Sequence, residues 1–158
     1  MMAYNLTRTN VQKPTLKPRI LLIEDDQQRI ELFRSWLQGT DFVLIAASSG
    51  GRAAGILRKG FTEGLYGLCL DHDLDQQPVT DTDLSISGST LIKAITHSIP
   101  RNVPILIHSM NMNAPVTMER NLKGVGYSVT RIRMAALTRE LFHEWLEEVA
   151  DCWEDMNS

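Results

Sequence analysis

Three short apolar runs in the chain each stop abruptly at a polar cluster. Ile20 to Ile23 meets Glu24-Asp25-Asp26, Tyr66 to Leu70 meets Asp71-His72-Asp73, and Val103 to Ile107 meets His108-Ser109-Met110-Asn111. Continuous β-branched and leucine runs of this length are the pattern of strands buried on both faces. Phe42 to Ala46 and Tyr127 to Ile132 supply two further strands, the latter alternating enough for a sheet edge. Between the runs the apolar spacing becomes helical. Ile30, Phe33 and Leu37 mark a helix over Gln28 to Leu37, ended by Gly39; Ala53, Ile56 and Leu57 mark one over Arg52 to Lys59; Leu91, Ile92 and Ile95 mark one from Gly88 to Pro100. Asn113-Ala114-Pro115 reads as the start of a helix carrying Met118 and Leu122. The clearest helix spans Leu137 to Trp153, with Leu141, Phe142, Trp145, Leu146, Val149 and Trp153 on one stripe.

Strands alternating with helices predict an α/β protein: a single three-layer α/β/α domain with a doubly wound, five-stranded parallel sheet, because parallel neighbours need right-handed helical crossovers. The order 2-1-3-4-5 is common for this number of strands, and ligands then bind beyond the carboxyl ends of the strands. That order makes strands one, three and four neighbours, so their polar ends should meet. Residues 1–18 lack periodicity and read as a flexible arm, leaving 19–158 as the domain. Asp75 to Ser87, rich in Asp, Thr and Ser, reads as an acidic loop beside the site.

Composition narrows this picture modestly. A chain of 158 residues is large enough for one sizeable core. Cys69 in an apolar strand and Cys152 in the last helix read as reduced thiols, which implies a cytoplasmic setting. No stretch has the length of a membrane span, and no apolar secretory core is expected at the N-terminus. The net charge of −3 is uneven: Arg8, Lys13, Lys17 and Arg19 make the first segment basic, whereas Glu140 to Asp155 holds no Lys or Arg. A basic arm can touch phosphate-rich ligands and an acidic helix can support a homo-oligomer, but both features are commonly just solvated.

Ile20-Leu21-Leu22-Ile23-Glu24-Asp25-Asp26 and its following helix resemble the first strand and acidic cluster of response-regulator receiver domains, which have a flavodoxin-like topology. The resemblance implies that Glu24 and Asp25 are a metal-binding pair, that Asp71 stands where receivers carry a phosphoacceptor, and that Ser109 stands where they carry Ser or Thr. Val129-Thr130-Arg131-Ile132-Arg133 departs from the pattern, because receivers place a lysine at the end of strand five. The chain also resembles the cyclic-phosphate processing receiver-like family, through Leu70-Asp71-His72-Asp73-Leu74 and His108-Ser109-Met110-Asn111. This second likeness implies a phosphoesterase acting on a cyclic phosphate, either a small molecule or an RNA end.

The residue chemistry agrees with such a site. Glu24, Asp25 and Asp71 are hard oxygen donors suited to Mg²⁺ or Mn²⁺, which would neutralise a phosphodiester. The competing reading is three solvated acids at strand ends. An imidazole's unperturbed pKa lies near neutrality, so His72 and His108 are candidates for base and acid, with Asp73 orienting one of them. Ser109 and Asn111 can donate to phosphate oxygens; otherwise they turn the chain. If strand four stays regular through Ser109, however, His108 and Ser109 point to opposite faces. Arg131 and Arg133 are candidates for the absent lysine's role, His97 and His143 read as surface residues, and the tryptophans read as helix packing. The alternative functions are a signalling or binding module, phosphoaccepting or not, and a protein that sequesters a cyclic nucleotide.

Overall fold

The computed structural model describes residues 17–60, 63–71, 88–110 and 117–157. The N-terminal arm up to residue 16, the Asp75 to Ser87 loop, His72, Asp73, Asn111 and the Asn113-Ala114-Pro115 helix start lie outside the described residues.

Five parallel strands form one sheet in the order β2-β1-β3-β4-β5: β1 Arg19–Ile23, β2 Val43–Ala47, β3 Leu65–Asp71, β4 Ile105–Ser109 and β5 Val129–Arg133. The expected topology is therefore present. Among the described residues five α-helices connect or follow the strands: α1 Gln27–Trp36, α2 Gly50–Arg58, α3 Gly88–Ser98, α4 Thr117–Gly124 and α5 Arg139–Asn157. The main boundary difference is β4, which begins two residues later than the apolar run and continues through His108 and Ser109. Those polar residues still pair in parallel with the neighbouring strands, so polarity alone does not end the strand.

Side-chain alternation divides the core into two layers. Leu21, Ile23, Leu68, Leu70, Ile105 and Ile107 face α2, α3 and α4. Ile20, Leu22, Cys69 and Leu106 face α1 and α5, where Phe33, Trp36, Phe142 and Trp145 form an aromatic cluster. β3 lies close beneath α5 because Gly67 has no Cβ; one placed there would stand 3.0 Å from Trp145 Cη2 and 3.1 Å from Val149 Cγ2. Trp36 and Trp145 are core residues, as their helical spacing predicts.

Local caps hold the loops at the carboxyl ends of β1 and β2. Asp26 caps α1 by accepting from the Arg29 backbone N–H at 3.1 Å, and Ser49 caps α2 by accepting from the Arg52 backbone N–H at 3.1 Å. The Glu24 backbone N–H donates to the Ala47 carbonyl at 3.0 Å, which carries the bonding to β2 one residue beyond the end of β1. Glu24 is thereby fixed by backbone bonding as well as by its side chain.

Candidate functional site

Glu24, Asp71 and His108 come together at the carboxyl end of the sheet. Each has the strand parity of the residue two before it, Leu22, Cys69 and Leu106, so all three project toward the α1–α5 layer. Asp71 and His108 are direct register partners on β3 and β4, while Glu24 follows β1 on the other side of β3. They are 0%, 2% and 1% exposed respectively, and one ligand atom from each lies within 4.8 Å of the others.

The Glu24 carboxylate organises this group. Its Oε2 accepts from His108 Nε2 at 3.0 Å and its Oε1 accepts from Arg29 Nε. A carboxylate only accepts, so the first contact places a proton on His108 Nε2. The imidazole is further set by Phe33, whose ring centroid lies 5.0 Å away. A carboxylate bonded to one imidazole nitrogen orients the ring and raises its basicity, an arrangement common behind metal-bound histidines and catalytic bases alike.

Arg29 supplies the positive charge. Its Nη2 lies 3.6 Å from Asp71 Oδ2 and 3.8 Å from Asp25 Oδ1, and its Nη1 lies 3.9 Å from Asp26 Oδ2. Burial opposes the guanidinium's charge, but the Glu24 hydrogen bond and the nearby charges of Glu24, Asp71 and Asp26 outweigh it and raise the Arg29 pKa above its ordinary value. Helical spacing from Ile30, Phe33 and Leu37 puts Arg29 on a polar face of α1. The signal pointing to the site was its position in the first turn, five residues after Glu24, four after Asp25 and three after Asp26.

The remaining expected residues are distributed around this centre. Asp25, one residue beyond Glu24, has the opposite parity and stands at the rim with its side chain 26% exposed. Its Oδ1 has no hydrogen bond among the described residues. Ser109 is buried, but its alternation with His108 turns it to the α2–α4 side. Arg131 and Arg133 pair in register with Ile107 and Ser109 and share that opposite side. His97 is exposed, whereas His143 is half-buried and donates from Nε2 to the Trp36 carbonyl at 2.6 Å, tying α5 to the end of α1.

The donor set fits a divalent cation. Ligands on opposite sides of an octahedral ion lie about 4.2 Å apart, so the Glu24–Asp71–His108 group spans little more than one coordination sphere. Two carboxylates suit Mg²⁺ or Mn²⁺, and with its Nε2–H given to Glu24, His108 has only Nδ1 to offer an ion, a nitrogen ligand that would shift the preference toward Mn²⁺.

No family model and no curated protein matches the chain. Solved structures do. The receiver domain of a sensor histidine kinase from Pseudomonas aeruginosa, whose crystal structure has a magnesium ion coordinated in the active site cleft, shares 18% identity over 85% of this chain and 99% of its own, with a TM-score of 0.59. The signal receiver domain of a Luxo repressor protein from Vibrio parahaemolyticus shares 18% identity over 90% of this chain and 98% of its own, with a TM-score of 0.64. A de novo designed Rossmann 2x3 protein also matches, at 16% identity over 84% of this chain and 91% of its own, with a TM-score of 0.55. The fold is therefore receiver-like, as expected. Likeness at this level extends to a designed protein and does not carry the cyclic-phosphate resemblance, so the chemistry must be argued from the side chains.

Proposed function

We propose that the chain is a receiver-like signalling module that binds a divalent cation, Mg²⁺ or Mn²⁺, and presents it to a phosphoryl group. The observation that carries this reading is the convergence of Glu24, Asp71 and His108 from three neighbouring strand ends onto one buried point. Buried carboxylates need a compensating charge. Asp71 and Glu24 would hold the cation, with Asp25 at the rim contributing through water. The bound cation would neutralise phosphoryl oxygens. Asp71 would then accept a phosphoryl group, and His108, held by Glu24, would hold or move a proton.

A second reading is favoured by the Glu24–His108 pair: a metal-dependent phosphoesterase for a cyclic phosphate. An imidazole oriented by a carboxylate is suited to protonate a leaving oxygen or deprotonate water. In this reading His72 and Asp73, which follow Asp71 in the chain, join His108 in catalysis, while Ser109 and Asn111 bind substrate. The parity of Ser109 argues against its taking part without a local rearrangement.

One experiment separates the two. The protein is incubated with Mn²⁺ or Mg²⁺ and either acetyl phosphate or a panel of nucleoside 2′,3′-cyclic phosphates, with Asp71→Asn and His108→Ala in parallel. A covalent phosphoryl adduct that is absent in Asp71→Asn supports the signalling module. Turnover of a cyclic phosphate that is lost in His108→Ala supports the esterase. A protein that binds neither cation loses both readings.

A further inference from the structure

We propose that Arg29 is the resident counter-ion of the carboxylate cluster, and that a divalent cation enters only by displacing its guanidinium. The proposal rests on the reading of Glu24, Asp71 and His108 as a cation site and adds a residue that would control access to it.

The geometry makes the two cations mutually exclusive. Arg29 Nε donates to Glu24 Oε1, and Arg29 Nη2 lies 3.6 Å from Asp71 Oδ2. Glu24 and Asp71 are also the two carboxylates of the candidate cation cluster. A guanidinium has donors only, so it cannot complete a metal's coordination sphere. Left in place, it would put like charges within a few ångströms inside a poorly solvated site. The Arg29 side chain is 19% exposed, which gives its head a short way to solvent, while the Asp26 cap holds the first turn of α1 where it is. Displacement therefore requires rotamer changes rather than loss of the helix. The same guanidinium also touches Asp25 and Asp26, at 3.8 Å and 3.9 Å, and these rim acids can retain it once it leaves the interior.

Two consequences distinguish this arrangement from an ordinary structural ion pair. The apparent cation affinity of the native protein is reduced by the interactions Arg29 must surrender. In addition, the protein without metal keeps its buried acids compensated, so it remains folded when the cation is scarce. Arg29→Ala reverses both: the protein alone becomes less stable and its cation affinity rises.

The test is Mn²⁺ titration of the native protein, Arg29→Ala and Arg29→Lys, followed by calorimetry and by the electron paramagnetic resonance of free Mn²⁺. The expected result is a dissociation constant at least tenfold lower in Arg29→Ala, equivalent to about 1.4 kcal/mol, with Arg29→Lys nearer the native value. In parallel, the Arg29 Nε–H resonance of the native protein is followed by NMR during Mg²⁺ addition; it should shift and exchange faster with water. This measurement decides the matter if Arg29→Ala does not fold. Equal or weaker Mn²⁺ binding by a folded Arg29→Ala, or an unmoved Arg29 resonance in a protein that binds Mg²⁺, overturns the counter-ion role and leaves the cation site standing. Absence of binding in all three proteins overturns the cation site and the counter-ion role together.

Discussion

His108 on β4 and Glu24 after β1 are joined across the end of β3, with Nε2 donating to Oε2 at 3.0 Å and both side chains buried. The contact spans two non-adjacent strands, since β3 lies between them. A double-mutant cycle with Glu24→Gln and His108→Phe should return a coupling of about 1.5–3 kcal/mol in urea unfolding, the range for hydrogen bonds to charged groups. Glu24→Ala should be worse, by about 3–5 kcal/mol, because it leaves buried polar partners uncompensated. A coupling near zero would show that the two side chains act independently.

Gly67→Ala should destabilise the protein by about 1–3 kcal/mol through overpacking. The new methyl would approach Trp145 Cη2 at 3.0 Å, Val149 Cγ2 at 3.1 Å and Ile20 Cγ1 at 3.3 Å. Trp145→Phe on the Gly67→Ala background should recover part of the loss. Trp145 Nε1 is buried with no hydrogen-bond partner among the described residues, so this second change removes ring volume without breaking a bond. Thermal unfolding of the native protein, Gly67→Ala and the double variant decides it.

Tyr127 ties the start of β5 to the end of α3. Its hydroxyl lies 2.6 Å from the Ile99 carbonyl and 3.1 Å from that of Ile95, and it accepts from Arg101 Nη1 at 3.0 Å. Tyr127→Phe should cost about 1 kcal/mol. Burial raises the phenol's pKa, while the charge and hydrogen bond of Arg101 act in the opposite direction and leave a net upward shift. The unfolded phenol therefore ionises first. The corresponding stability is complete below the unfolded pKa of about 10 and is lost as pH rises through the folded value. Urea midpoints measured across that alkaline window should fall more steeply in the native protein than in Tyr127→Phe.

Neither thiol should react readily with a disulfide reagent in the folded state. Burial pushes the Cys69 thiol well above its ordinary pKa, and burial with the nearby charge of Asp155 raises Cys152. A nucleophilic thiolate is thus disfavoured at both positions. Cys69 is fully buried in β3 and Cys152 is 7% exposed on α5, so Cys152 should be modified first and Cys69 at the rate of unfolding. Rapid modification of Cys69 in native buffer would contradict its placement.

The fold was legible in the chain because a parallel sheet buries both faces of its strands. Short continuous apolar runs then alternate with helically spaced ones, and this pattern marked the five strands and the carboxyl ends at which Glu24, Asp71 and His108 stand, while the order 2-1-3-4-5 followed only as the common one for five such strands. Residue chemistry at those ends made them candidates. Only the tertiary structure decided which neighbours meet. Alternation beyond the apolar runs carries Glu24 inward and leaves Asp25 at the rim, and it separates His108 from Ser109 because β4 continues two residues past its hydrophobic part. Arg29 and His143 were inconspicuous for a different reason: a polar residue on an amphipathic helix looks solvated until the neighbouring elements are placed. Packing α1 and α5 on the same sheet face turns Arg29 onto the strand-end acids and His143 onto the Trp36 carbonyl. Hydrophobic burial is periodic along the chain and can be read from it, whereas a polar contact between distant segments depends on register and side-chain direction, which arise only when the sheet and its helices assemble.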